Sequence, residues 1–166
     1  GRMVDLLSEN AEIVVRYQGG NNAGHTVVND RGEFKLNLLP SGILRPEVVN
    51  VLGTGMVIDI CHLAGEMGRL REISPKNLKI SDKATICMPY HVLLDGLEEA
   101  RLADKKFGST KRGIAPVYSD KYSKKSIRMG DLMFPDTLPE LVSGIVEWKN
   151  MMIEGGYKAE AIKADD

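Results

Sequence analysis

The chain has 166 residues, of which 43% are hydrophobic and 27% are charged, a composition typical of a soluble globular domain with its own core. Its 22 basic and 23 acidic residues leave a net charge of −1, so no global field attracts nucleic acid or an anionic membrane. The sequence lacks an apolar run of about 18 residues and the charged-then-apolar start of a secretory signal. We therefore expect a cytoplasmic protein without a membrane or nucleic-acid partner.

The first elements predicted along the chain are a helix, a strand and a hairpin. Residues 4–10 suit a helix, and the β-branched run at 12–16 predicts a buried strand of a parallel sheet. Residues 26–29 and 33–38 flank a turn that contains Gly32, which indicates a β-hairpin.

A strand-helix-strand rhythm continues through the middle of the chain. Residues 49–60 predict a core strand, 61–73 a helix and 78–88 another strand, and Pro89 begins the next helix. We expect the apolar face of that helix to consist of Val92, Leu93, Leu97 and Ala100. The rhythm favours an α/β fold with a mainly parallel sheet and flanking helices.

The last third of the chain combines an unpatterned segment with a final helix. We expect residues 103–129 to be a long connection without regular structure, which compact domains seldom carry unless it binds something. Residues 138–154 predict an amphipathic helix with Thr137 and Glu140 as a capping box. Its buried stripe should consist of Leu138, Leu141, Val142, Ile145 and Met152. The prediction is a single partial domain over residues 1–166, with a helical subdomain at about 61–101 and a substrate loop at about 103–129.

Several polar residues belong to no motif. Cys61 and Cys87 are too few for a disulfide framework and lack metal-ligand spacing, so we expect buried thiols. His62 and His91 should cap helices or lie at the surface. The same expectation, solvent exposure or capping, applies to the aspartates Asp82, Asp95 and Asp104.

The stretch RYQGGNNAGHT at residues 16–26 is the most informative segment. Glycines let successive backbone N–H groups point to one place and form a nest for phosphate oxygens. Side-chain donors come from Asn21, Asn22, His25 and Thr26. The residues leave open the alternative that His25 only satisfies the backbone of a turn.

A second donor-rich segment lies within residues 103–129, which are strongly basic in an otherwise neutral chain. Ser109 and Thr110 stand there between Gly108 and Gly113. Hydroxyl and cationic groups suit separate phosphate oxygens, so the two segments together predict one ligand with several phosphates. The alternative is a solvated, mobile loop.

Several motifs in order along the chain resemble the adenylosuccinate synthetase family. They are VVRYQGGNNAGHTVV (14–28), LPSGIL (39–44), YHVLLDGLEEAR (90–101), GSTKRGIAPVYSDKY (108–122) and IRMGDL (127–132). The resemblance implies a P-loop-like GTP-binding ligase architecture. It also implies GTP-dependent ligation of L-aspartate to IMP through a 6-phosphoryl-IMP intermediate, giving adenylosuccinate in AMP biosynthesis, with Mg²⁺ as cofactor and a homodimer as the assembly.

The resemblance further implies roles for single residues. His25 matches a catalytic acid or hydrogen-bond donor toward the transferred phosphate, which suits a reaction that depends on positioned donors. IMP contacts match Asn22, Ala23, Gly24, His25, Thr110 and Lys124, GTP contacts match Gly1, Arg2, Gly24, His25 and Thr26, and the Gly24 carbonyl matches a Mg²⁺ ligand. Lys124 stands where the family usually has an arginine that reaches the IMP phosphate of the partner subunit, so it keeps the charge but loses the bidentate fork.

Departures from the family pattern predict that this chain alone is inactive. The family's phosphate loop is represented only by Gly1 and Arg2, so its catalytic aspartate is absent, and the regions that follow residue 166 in the family are missing. We expect a piece of a longer enzyme. The alternatives are a nucleotide-binding or regulatory module without chemistry, and an inactive fragment that retains part of the IMP pocket.

Overall fold

A computed structural model of the chain describes residues 2–29, 32–70 and 76–165, and only the backbone of Arg2 and Asn29. The expectations for Gly1, for the hairpin turn at 30–31 and for the end of the helix predicted at 61–73 lie outside the described residues. The chain divides into two compact units, Gly1–Ala84 and Thr85–Asp166.

The first unit combines a parallel sheet with helices and a hairpin. In chain order its elements are α1 (Arg2–Ser8), β1 (Ile13–Gly19), β2 (His25–Asn29), β3 (Gly32–Leu36), a 3-10 turn (Ser41–Leu44), β4 (Val49–Ile58), α2 (Ile60–Gly68) and β5 (Leu78–Ile80). Strand β4 lies between β1 and β5 and is parallel to both, with Ile13 opposite Val49 and Asn50 opposite Leu78. The predicted parallel sheet is thereby confirmed.

Two further predictions in this unit can be compared with the structure. Strands β2 and β3 pair antiparallel with His25 opposite Leu36, which confirms the hairpin. The prediction that the first strand is buried was wrong, because Ile13, Val15 and Tyr17 are 58%, 54% and 69% exposed. A β-branched run favours a strand, but it does not show whether both faces of that strand are covered.

The second unit is mainly helical. Its elements are β6 (Thr85–Ile86), α3 (Pro89–Leu102), a 3-10 turn (Ala103–Lys105), α4 (Ile114–Ser123), another 3-10 turn (Met129–Met133), α5 (Leu138–Asn150) and a π-helical turn (Met151–Gly156). The strand predicted at 78–88 is therefore two short strands, because residues 81–84 turn, with the Ala84 N–H donating to the Ser81 carbonyl over 3.1 Å.

Helix α4 corrects the expectation that residues 103–129 lack regular structure. It begins after Gly113 and ends at Lys124, and both of these residues have left-handed backbone conformations, with φ of 74° and 59°. Its buried residues are Val117 and Asp120. The helix has too few buried apolar residues to form a stripe, so helical periodicity in the sequence does not reveal it.

The buried faces of α3 and α5 also differ from the predicted ones. On α3, Val92 and Ala100 are exposed, while the buried residues are Tyr90, His91, Leu94, Asp95 and Glu99. On α5 and the following turn, Leu141 and Met152 are exposed, while the buried residues are Val146, Lys149 and Ile153. Four polar residues occupy interior positions because partners within the unit satisfy them, namely His91, Asp95, Glu99 and Lys149.

Two local predictions were wrong as well. The predicted capping box of α5 does not form, since Thr137 Oγ1 donates to the Phe134 carbonyl and does not accept from the helix. Cys61 is exposed, whereas Cys87 is buried as expected.

Candidate functional site

The glycine-rich loop joins the carboxyl end of β1 to His25, the first residue of β2. Arg16 lies in the middle of β1, and its guanidinium donates to the carbonyls of Gly20 at 2.9 Å and Leu38 at 3.0 Å, and also to that of Asn37. One side chain therefore ties the start of the loop to the turn that follows β3.

A buried carboxylate binds the backbone amides of the same turn. Glu66 of α2 accepts from the backbone N–H groups of Leu38 at 3.1 Å and Leu39 at 3.0 Å. Its Oε1 also lies 3.2 Å from His62 Nε2. Arg16 binds the carbonyls of this turn and Glu66 its amides, so the turn is fixed by groups of both polarities.

The turn after β3 also packs against the glycine-rich loop. A Cβ built on Gly24 would lie 3.0 Å from Asn37 Nδ2, so a side chain there would press on the amide of Asn37. Glycine at this position permits the close approach of loop and turn.

A cavity of about 470 Å³ opens beside the loop. Its lining consists of Val4, Val14 to Gln18 of β1, Ala23, Gly24, His25, Pro40 and Ser41. Three predicted site residues, Ala23, Gly24 and His25, therefore line one cavity. Asn22 and Thr26 are exposed neighbours of these residues.

The environment of His25 favours the neutral imidazole. Burial lowers the pKa of His25 below its usual value, and the positive charge of Arg16 acts in the same direction, while Glu66 opposes them. A neutral imidazole carries one N–H donor and one acceptor nitrogen. Near neutral pH the ring can therefore donate a hydrogen bond to an oxygen in the cavity without being charged.

Asn21 links the glycine-rich loop to the start of α2. It is only 4% exposed, and its Nδ2 donates to Asp59 Oδ2 at 3.2 Å. Asp59 also caps α2 by accepting from the His62 N–H at 2.9 Å. The expectation that Asn21 offers a donor to an anion is therefore replaced by a link between the loop and α2.

In the second unit, residues 107–113 form a loop along α3. Asp95 Oδ1 accepts from Ser109 Oγ at 2.6 Å, and Asp95 Oδ2 accepts from the Gly113 N–H at 2.9 Å. The next residues outward, Thr110, Lys111 and Arg112, are exposed. The prediction that Asp95 is solvent-facing or a cap was wrong, since this side chain is a buried anchor of the loop.

The other residues predicted to contact substrates lie outside these two loops. Lys124 is exposed and ends α4, whereas the neighbouring Lys125 places its Nζ 4.0 Å from the centre of the Trp148 ring. Gly1 lies outside the described residues, and Arg2 is described only as the first residue of α1. Across residues 2–29, 32–70 and 76–165, no group of three His, Cys, Asp or Glu residues could hold a metal ion.

Sequence reasoning also missed a buried polar cluster. His91 Nε2 lies 2.9 Å from Asp120 Oδ2, and Lys149 Nζ lies 2.6 Å from Asp120 Oδ1. Burial alone would raise the pKa of Asp120, but the hydrogen bonds from His91 and Lys149 outweigh it and lower that pKa. The signal available in the sequence was weak, since these residues belong to different helices.

None of the helices in the described residues is both long enough and apolar enough to cross a membrane. The parallel sheet, its flanking helices and the glycine-rich loop that follows β1 define an α/β protein. The model of one family, adenylosuccinate synthetase, matches residues 1–166. The chain belongs to the adenylosuccinate synthetase family.

Curated relatives show the same similarity. The chain is 45% identical over 168 residues to adenylosuccinate synthetase of Dehalococcoides mccartyi, which covers 100% of this chain and 40% of that protein. It is 48% identical over 162 residues to the enzyme of Halothermothrix orenii, covering 96% of this chain and 38% of that protein. The chain thus spans about 40% of the length of the relatives it matches.

Solved structures agree with the fold. The fully ligated adenylosuccinate synthetase of Plasmodium falciparum matches with a TM-score of 0.84 and 33% identity, over 98% of this chain and 38% of that one. Cyanophage S-2L succinoaminodeoxyadenylate synthetase, bound to dGMP and dATP, matches with a TM-score of 0.58 and 25% identity, over 77% of this chain and 37% of that one.

Proposed function

We propose that the protein to which this chain belongs ligates L-aspartate to IMP with hydrolysis of GTP, giving adenylosuccinate in AMP biosynthesis. The observation that carries the proposal is the cavity lined by Ala23, Gly24 and His25, in a chain that matches one ligase family over its whole length. The reaction proceeds through 6-phosphoryl-IMP, whose phosphate aspartate then displaces. The protein works in the cytoplasm as a homodimer.

His25 acts in this proposal as a hydrogen-bond donor to the phosphoryl group in transfer. Phosphoryl transfer spreads negative charge over oxygens, and positioned donors stabilise that charge. The lowered pKa of His25 supports a neutral N–H donor near neutral pH. The hydrogen bond from Arg16 to the Gly20 carbonyl supports this role, because it holds the loop that carries the imidazole.

The other site residues bind the nucleotides. Asn22, Ala23 and Gly24 contact IMP, and Thr110 and Lys124 contact its phosphate. GTP contacts come from Gly1, Arg2, Gly24, His25 and Thr26.

Mg²⁺ is the cofactor in this proposal, with the Gly24 carbonyl as a ligand. A carbonyl oxygen fits the preference of Mg²⁺ for oxygen ligands, and this ion commonly takes its remaining ligands from water and substrate phosphates. When bound, Mg²⁺ neutralises charge on the phosphates.

The test uses the full-length protein that carries this chain. We expect adenylosuccinate formation from IMP, GTP and aspartate, and loss of that activity in His25→Ala with an unchanged circular dichroism spectrum. His25→Gln keeps an N–H donor and should retain more activity than His25→Ala. Lys35→Ala serves as a matched control because Lys35 is exposed on the same hairpin and does not line the cavity.

The outcomes separate the alternatives. No turnover by the full-length wild type, with IMP still bound in calorimetry, would favour a nucleotide-binding module. Full activity of His25→Ala would remove the assigned role of the imidazole.

A further inference from the structure

The loop at residues 108–113 is bound to α3 at both of its ends. Asp95 is 5% exposed, and each of its oxygens accepts a hydrogen bond from one end of the loop. Ser109 Oγ donates to Oδ1 at 2.6 Å, and the Gly113 N–H donates to Oδ2 at 2.9 Å. One turn further along α3, buried Glu99 accepts from the Phe107 N–H at 3.2 Å. Two carboxylates of one helix therefore bind the backbone on either side of the exposed tip.

The backbone of the tip is also fixed from inside. The Lys111 N–H donates to Ser109 Oγ at 3.1 Å, so a chain of hydrogen bonds runs from Lys111 through the Ser109 hydroxyl to Asp95. Lys111 has a φ of 54°, a left-handed conformation that non-glycine residues rarely adopt. Such a conformation persists where surrounding bonds over-determine it, and Ser109 and Asp95 supply those bonds.

Gly113 closes the loop by direct packing. Its φ is 74°, and a Cβ built on it would lie 2.8 Å from the His91 carbonyl carbon and 2.8 Å from the Val92 nitrogen. The loop therefore meets the helix backbone without room for a side chain. Thr110, Lys111 and Arg112 remain exposed on a tip whose base is fixed.

We propose that Asp95 is a positioning residue that holds Thr110 and its neighbours ready to bind the 5′-phosphate of the nucleotide. The proposal deepens the proposed function and rests on it for the identity of the ligand. A loop ordered before binding loses less conformational entropy when the phosphate arrives, and that saving increases affinity.

The charge of Asp95 acts in the opposite direction. A carboxylate behind an anion site repels phosphate, so its neutralisation would tighten binding if charge were decisive. Both Asp95 oxygens, however, are occupied by donors of the loop within 2.9 Å. We therefore expect the order of the loop to outweigh the repulsion, and the sign of the effect on IMP affinity tests this expectation.

The first measurement follows the loop itself in the full-length protein. Amide hydrogen exchange of residues 108–113 should be about ten times faster in Asp95→Asn than in the wild type, since loss of a hydrogen bond to a charged group corresponds to roughly that factor. Ser109→Ala leaves the bond from Gly113 and should have a smaller effect in the same direction. Asp104→Asn is the matched control, because Asp104 is an exposed aspartate shortly after α3.

The second measurement separates positioning from general loss of structure. We expect the KM for IMP to rise about tenfold in Asp95→Asn while kcat and the KM values for GTP and aspartate change less than about twofold. Calorimetric binding of inosine, which lacks the phosphate, should be equal in the variant and the wild type.

The measurements distinguish failure of the Asp95 proposal from failure of the proposed function. An unchanged or lower KM for IMP in Asp95→Asn would overturn the proposal, as would an equal loss of affinity for inosine. A wild type without turnover would refute the proposed function alone, and Asp95 would then be judged by hydrogen exchange together with calorimetric binding of IMP against inosine. If Asp95→Asn does not fold, the same comparisons with Ser109→Ala decide the proposal.

Discussion

His91 and Asp120 face each other inside the second unit, with 2.9 Å between His91 Nε2 and Asp120 Oδ2. The Met88 N–H donates to the other ring nitrogen, His91 Nδ1, at 2.9 Å. Because Nδ1 accepts, the proton of the neutral ring must be on Nε2, where it points to the carboxylate. The pair thus fixes both the tautomer and the orientation of the imidazole.

Asp120 also compensates a buried ammonium group, which predicts a large loss of stability on its removal. Lys149 is 3% exposed, and its Nζ lies 2.6 Å from Asp120 Oδ1. Asp120→Asn leaves that charge without its counter-ion, so we expect the free energy of unfolding to fall by about 3–5 kcal/mol. Urea unfolding of the 166-residue chain, followed by Trp148 fluorescence, measures this change.

The exposed pair of Glu98 and Arg101 provides the control for this prediction. Their side chains lie 2.7 Å apart but are 33% and 57% exposed. Arg101→Ala should change the free energy of unfolding much less than Asp120→Asn, since water and salt screen exposed pairs. Equal effects of the two substitutions would show that burial of the Lys149 charge is not decisive.

The interior position of His91 predicts a pH dependence of stability. Burial lowers the pKa of His91, and Lys149 acts in the same direction, although the hydrogen bond and charge of Asp120 oppose them. The unfolded chain then takes up the proton first as pH falls, so the stability linked to His91 is complete above about pH 6.5 and decreases below it. It is lost as pH falls through the folded-state pKa.

Imidazole nitrogen NMR of the chain between pH 7 and pH 5 checks this expectation. The Nδ1 nitrogen of His91 should keep the chemical shift of an unprotonated ring nitrogen at pH values where an exposed histidine is already protonated. His25, whose pKa is also lowered, is replaced by glutamine so that its titration does not overlap. A His91 ring that is protonated at or above pH 6.5 would contradict the assignment of a neutral, buried imidazole.

How far the sequence predicts this fold depends on the kind of pattern involved. The strand before the glycine loop, the hairpin and the parallel character of the sheet were predicted from short apolar runs, turn residues and the alternation of strands and helices. Helix α4 could not be predicted in this way, because its buried residues, Val117 and Asp120, do not form an apolar stripe. Its limits are set by the left-handed Gly113 and Lys124.

The candidate site shows the same division. The glycines and side-chain donors led to the loop with His25, and the motif resemblance added Ala23 and Gly24; all three line one cavity. Arg16 and Glu66 hold the turn that packs against this loop, through contacts with residues 37–39, about twenty to thirty positions away in sequence. Contacts at such separations depend on the tertiary fold, and a single sequence does not reveal them.

Gly113 and Gly108 allow the strain of a left-handed backbone to be separated from a steric clash. Their φ angles are 74° and 75°, but only the Cβ of an alanine at 113 would meet the backbone of α3, because Gly108 has no atom within 4 Å of that position. Both alanine variants should lose about 1–2 kcal/mol from backbone strain. Gly113→Ala should lose more than Gly108→Ala in urea unfolding, and equal losses would show that the helix backbone yields to the side chain.

Replacement of Lys124 by glycine is predicted to raise stability and to weaken substrate binding. It ends α4 with a φ of 59°, a conformation that favours glycine, yet the proposed role of its charge is contact with the IMP phosphate. In the full-length protein, Lys124→Gly should raise the free energy of unfolding by about 0.5–1 kcal/mol and also raise the KM for IMP. Lys124→Arg should keep the backbone strain and lower the KM, because a guanidinium can bind phosphate through two hydrogen bonds.

Lys158 is the matched control for this substitution. It is exposed and has a φ of 58°, so Lys158→Gly relieves the same backbone strain without removing a proposed substrate contact. We expect Lys158→Gly to gain a similar free energy of unfolding and to leave the KM for IMP unchanged. Equal KM values for Lys124→Gly and Lys158→Gly would assign Lys124 to the helix end alone, because its charge would then contribute nothing to phosphate binding.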